Sequence, residues 1–170
     1  TMTLMSTTNG VDAFYNLGTF IARQSTVTFN TSGAQAIGGT ATTSFYNLSI
    51  NNSSNITLNR PAIVTNFLSM VMGKLITTNT NVLTCSSTAS ANIGSSSSYV
   101  DGPMIHTVAS AALATRTFPI GKGVAYRPVV INVTHSNTLS VTYRAEIFNN
   151  PADRKSTRLN SSHSSVSRMP

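Results

Sequence analysis

The chain has 170 residues, 9% charged and 40% hydrophobic, with a single cysteine, no tryptophan and a formal charge of +7. One cysteine excludes an intrachain disulfide and a cysteine metal site, and low charge with this much apolar content sets the chain apart from disordered polymers. The charge is no nucleic-acid footprint: residues 153–170 carry +3, and the other +4 is scattered over Arg23, Arg60, Lys74, Arg116, Lys122, Arg127 and Arg144, less three acids, with no basic run or DNA-binding motif.

Ser, Thr and Asn make up more than a third of the residues, with β-branched and aromatic side chains spread among them. That composition predicts an all-β protein. No run approaches the roughly 18 apolar residues of a membrane span, and no basic-then-apolar leader opens the chain.

Residues 1–24 are the least regular. Phe14-Tyr15-Asn16-Leu17 recurs as Phe45-Tyr46-Asn47-Leu48 at a spacing of 31, which marks an irregular first turn of the array that follows. From Ser25 to Gly94 apolar residues recur in two columns, Phe29, Leu48, Phe67, Cys85 and Ile37, Ile56, Leu75, Ile93, with steps of 19, 19 and 18 in each. Short β-branched segments at 26–29, 45–50, 55–58, 62–64, 67–71, 74–77 and 82–85 read as strands between Gly, Asn and Ser turns. Strands at a fixed period of about 19 predict a parallel β-solenoid, each coil pairing with the next about 4.8 Å along the axis. Phe29, Leu48, Phe67 and Cys85 are then expected to stack as one buried ladder. The shorter last step is assigned to the polar Thr77-Thr78-Asn79-Thr80-Asn81 turn. A leucine-rich repeat lacks its signature here; a β-sandwich with accidental spacing is the alternative.

Residues 89–98 are small and polar and read as a boundary. Beyond them longer strands are expected at 99–108, 115–120, 129–134 and 139–148, with Ser136-Asn137 at a turn. The division is therefore 1–98 as solenoid and 99–152 as an antiparallel sheet or half-sandwich capping it. Residues 153–170 back-translate in two blocks to a string resembling a common sequencing adaptor. They are expected to be a non-native, disordered tail, with the natural chain interrupted near Ala152.

Chemistry is sparse. Glycoside hydrolysis needs two carboxyl groups, and no Asp or Glu occurs between Asp12 and Asp101. Asp101, His106, His135 and Glu146 are the remaining candidates. Asp101 in Val-Asp-Gly-Pro reads as a turn former and the histidines as ordinary strand residues. Gly121-Lys122-Gly123 lacks the remainder of a phosphate-binding loop and reads as a tight turn. Cys85 reads as a small buried hydrophobe. No catalytic, cofactor or metal residue is expected.

The blocks Gly33-Ala34-Gln35-Ala36-Ile37-Gly38-Gly39-Thr40, Phe45-Tyr46-Asn47-Leu48-Ser49-Ile50-Asn51, Tyr99-Val100-Asp101-Gly102-Pro103 and Phe118-Pro119-Ile120-Gly121-Lys122-Gly123 with Tyr126-Arg127-Pro128 resemble large repetitive surface or secreted proteins of the Bacteroidetes. The resemblance implies an extracellular or outer-surface location, type IX export and an adhesin-like role without catalytic residues. The function expected is thus that of a non-enzymatic structural or adhesin-like fragment of a larger secreted protein. The alternative is a glycan-binding accessory module using exposed Tyr99, Tyr126 and Asn side chains.

Overall fold

A computed structural model describes residues 1–4, 12–109, 113–135 and 139–149 of the protein. Every regular element among them is a strand, and the strands wind into a β-solenoid of about 5 turns, with about 21 residues per turn. In chain order these are β1 (Met2–Leu4), β2 (Asp12–Asn16), β3 (Thr26–Thr31), β4 (Gln35–Gly39), β5 (Thr43–Asn52), β6 (Ile56–Leu58), β7 (Ala62–Met72), β8 (Leu75–Ile76), β9 (Leu83–Cys85), β10 (Ser90–Ala91) and β11 (Val100–Asp101). After them come β12 (Met104–Val108), β13 (Leu113–Phe118), β14 (Ile120–Lys122), β15 (Ala125–Tyr126), β16 (Val129–Thr134) and β17 (Val141–Ala145).

One sheet runs β1-β3-β5-β7-β9-β12-β17, with β10 also beside β7; the other runs β15-β14-β11-β8-β6-β4-β2. Coil-to-coil pairing is parallel throughout, so each inward residue lies over its counterpart in the coil before. Local alternation decides which residues these are. In β3, Val27 and Phe29 are buried while Thr26, Thr28 and Asn30 face outward. The resulting ladders are Val27–Leu48–Leu68, Phe29–Ile50–Met70, Phe45–Val64–Cys85–His106 and Ile56–Leu75–Val100–Ile120. Burying each large apolar member contributes about 1.5–3 kcal/mol.

The fold class is as the sequence predicts, but the columns need correction. Phe29, Leu48 and Cys85 are buried yet lie in three different ladders, because Phe29 pairs Ile50, Leu48 pairs Val27 and Leu68, and Cys85 pairs Val64 and His106, while Ile37 lies beside Leu58 rather than Ile56. β5 and β7 each turn a corner within one strand, and the β7 corner holds one residue more than the β5 corner: Phe45 pairs Val64, whereas Asn47 pairs Phe67. The extra residue, a local bulge, reverses the alternation. Leu68 therefore takes the buried place expected of Phe67, which faces outward at 36% exposure. The 77–81 turn is not shortened either: Leu75 to Leu83 spans eight residues where Ile56 to Ala62 in the preceding coil spans six. Ile93 is exposed, because a Ser95–Ser98 turn lengthens that coil and Val100 takes the place over Leu75.

The buried corner at Asn52 is polar and satisfied. Asn52 is fully buried, donates to the Gly33 carbonyl at 2.8 Å and to Gln35 Oε1 at 2.9 Å, and accepts the Ser54 N–H at 2.8 Å. Its own carbonyl forces a glycine in the coil above: Gly73 has φ +72°, and a Cβ there would fall 1.7 Å from the Asn52 oxygen.

Parallel stacking runs past Ser98, since β11 pairs β8, β12 pairs β9 and β14 pairs β11, so the antiparallel cap begins later than residue 99. It consists of β17 on β12, β15 on β14 and the separate pair β13–β16. Added antiparallel to β12 and β14, β17 and β15 cover strand edges that would otherwise template another coil. The expected Ser136-Asn137 turn and the tail at 153–170 lie outside the described residues.

The corrected register separates two adjacent residues. Leu68→Ala is expected to cost about 2–5 kcal/mol and Phe67→Ala less than about 1 kcal/mol in urea unfolding; the reverse order would contradict the register.

Candidate functional site

The outward rows of the same strands carry the surface chemistry. Register places Thr26, Asn47, Phe67 and Ser90 in one row, and Thr28, Ser49 and Ser69 in the next. Neighbours within a row are about 4.8 Å apart, close enough for side chains to bond along the solenoid axis. Asn66 Nδ2 donates to Asn47 Oδ1 at 2.7 Å, and Asn47 Nδ2 donates to Thr26 Oγ1 at 3.1 Å. A parallel link joins Asn51 Nδ2 to Asn30 Oδ1 at 3.1 Å.

Where the β7 corner turns Phe67 outward, these rows enclose a shallow groove of about 300 Å³ above Leu48. Its other lining residues are Thr26, Asn47, Ser49, Asn66, Phe67 and Ser69, none of them charged. Asn66 Oδ1 and the hydroxyls of Ser49 and Ser69 have no protein partner among the described residues. The groove thus combines one accessible aromatic ring with several uncharged groups able to donate or accept. Sequence reasoning missed it by assigning Phe67 to the core. The available signal was the run Thr65-Asn66, two polar residues interrupting the alternation of β7.

The sequence-predicted candidates are not gathered at this groove. Asp101 ends β11 and is almost buried, 3.8 Å from Lys74 Nζ and 3.5 Å from Lys122 Nζ, and it accepts the Gly123 N–H at 3.1 Å. It directly precedes the expected bend, at Gly102-Pro103 between β11 and β12 with φ +132° at Gly102, and its carboxylate also anchors the β14–β15 hairpin, whose Gly123 carbonyl accepts from Lys74 and from the Tyr99 hydroxyl. The expected tight turn lies one step later, at Gly123-Val124: Gly121 and Lys122 end β14, Gly123 has φ +62°, and the hairpin pairs Lys122 to Ala125. Tyr99 is fully buried beneath it, so its ring cannot face a ligand as expected. Tyr126 is half-buried and donates to the Ile93 carbonyl at 2.5 Å.

His106 lies over Cys85 at the cap end of the solenoid, edge-on to Phe118 with centroids 4.8 Å apart. Its Nε2 is 2.9 Å from the Thr117 carbonyl, so Nε2 carries the hydrogen, and Nδ1 is buried without a partner among the described residues. Burial is the main cause holding its pKa down to about 4; the Arg116 guanidinium lowers it further, against the Thr117 hydrogen bond. Burial likewise pushes the Cys85 thiol up to about 12, so the pair is neutral and sealed, unlike an activated thiolate–imidazolium pair. His135 Nε2 meets the Tyr143 hydroxyl at 2.7 Å, and Glu146 pairs with Arg144 at 2.9 Å. Among the described residues no three His, Cys, Asp or Glu side chains are placed to share a metal ion.

No family model, no curated protein and no solved structure matches the chain.

The His106 environment sets an acid limit on stability. The folded pKa lies near 4 and the ordinary value is 6.5, so the unfolded chain takes the proton first. Its contribution is whole above pH 6.5 and is lost progressively as pH falls toward 4, by roughly 3 kcal/mol in all. His106→Leu is expected to remove that share of the slope in urea unfolding across this window; an unchanged slope would refute the assignment.

Proposed function

We propose that this chain is a non-enzymatic, adhesin-like or structural length of a larger secreted or cell-surface protein, a solenoid with a polar, charge-poor exterior. The observation that carries the reading is the outward face of the stacked coils. It is built of Thr, Ser and Asn rows hydrogen-bonded along the axis, in a stretch that holds no carboxylate between Asp12 and Asp101. Such a face offers no general acid, no nucleophilic carboxylate and no carboxylate oxygens for calcium. The Bacteroidetes resemblance supports an extracellular or outer-surface location, with type IX export as the route it implies.

A second reading, a glycan-binding accessory module of a polysaccharide-degrading protein, is favoured by one observation. Phe67 stands exposed among amides and hydroxyls rather than in the core. The two readings agree that the chain cleaves nothing. Full-length protein incubated with neutral and acidic polysaccharides is expected to release no reducing ends beyond those of a boiled control, and a time-dependent release would overturn both.

A further inference from the structure

Resting on the glycan-binding reading, we infer that the groove around Phe67 is a docking site for a neutral saccharide, with the Phe67 ring as the stacking platform and Asn66, Ser49 and Ser69 as its hydrogen-bonding rim. The lining narrows the chemistry of the occupant. A phosphate, nucleic acid or uronic acid would call for Lys or Arg, and none lines the groove. A cationic ligand would call for a carboxylate, and the coils that form the groove have none. An added peptide strand needs free backbone N–H and C=O groups, but β5 and β7 pair with each other and with β3, β9 and β10, so only side chains are offered.

A neutral sugar matches what remains. Its ring carries an apolar C–H face that can lie against an aromatic ring, and an equatorial belt of hydroxyls that both donate and accept. The groove presents the same two characters at the same distance scale. Phe67 is bordered within its row by Asn47 and Ser90, and the Ser49–Ser69 pair lies one outward position further along the strands. Outward positions in a strand are about 6.5–7 Å apart and rows of the stack about 4.8 Å, so the polar groups surround the ring without covering it. The Asn66–Asn47–Thr26 chain fixes the amide orientation: Asn66 Nδ2 is directed at Asn47, which leaves its Oδ1 as the acceptor for a sugar hydroxyl. Pre-set amides lower the ordering cost of binding. At about 300 Å³ the groove is at the small end of ligand sites and holds a short segment of a polymer.

The test is isothermal titration calorimetry of the full chain with cellohexaose, xylohexaose and mannohexaose, and with polygalacturonate as the acidic comparison. Saturable binding of at least one neutral hexasaccharide is expected. Phe67→Ala should weaken it about tenfold or more, Asn66→Ala several-fold, and Tyr126→Phe not at all. Phe67→Trp should keep or strengthen it, which a loss through general destabilisation would not do. Binding that Phe67→Ala leaves unchanged would overturn this groove while leaving the glycan-binding reading intact. Failure of every neutral probe would overturn both, and preferential uptake of polygalacturonate would overturn the neutral-ligand assignment.

Discussion

In-register parallel stacking is the constraint on which this structure depends. It places each side chain of a coil about 4.8 Å from its counterparts above and below. Two like charges at that distance repel by about 1 kcal/mol in water and several times more near a protein surface. A charged residue type repeated down a row would add that penalty at every step. Apolar residues inside and neutral Thr, Ser and Asn outside incur none, and the amides gain hydrogen bonds along the axis, as Asn51 does with Asn30. The charge-poor composition is therefore a consequence of the fold, and the poverty of acid–base chemistry follows from the same source.

Corners give the solenoid its individuality. Within a straight strand the pleat assigns residues to inside and outside alternately, but each corner can absorb a residue and reset the alternation. The one-residue difference between the β5 and β7 corners moves Leu68 into the core and turns Phe67 to solvent, among the Asn66–Asn47–Thr26 chain. The same geometry that interrupts the apolar ladder thus creates the one accessible aromatic on this face of β7.

At the cap end, the polar residues serve the closure of the stack. Asp101 takes two lysines and the Gly123 N–H to hold the β14–β15 hairpin over Tyr99. His106 continues the Phe45–Val64–Cys85 ladder and meets Phe118 as the chain changes from parallel to antiparallel pairing. Its imidazole remains neutral because the ladder below it is apolar and sealed, which makes it an acid-sensitive part of the core rather than a catalytic group.

The residues by themselves determined the fold class. Short alternating strands, a polar turn after each and a near-regular apolar recurrence admit few architectures, and Phe29, Leu48, Ile56, Leu75 and Cys85 are buried as their pattern predicts. The lack of carboxylates from Asp12 to Asp101 was equally plain. Tertiary structure alone decided the register, because counting along the chain cannot tell a residue added at a corner from one added in a turn. That is why Phe67 and Ile93 stand in the solvent, Val100 takes the place over Leu75, and the mean turn is about 21 residues rather than 19. It also decided the surroundings of Asp101 and Tyr99. Their partners, Lys74, Lys122 and Gly123, come from other coils and from the cap, brought together by stacking that no local pattern encodes.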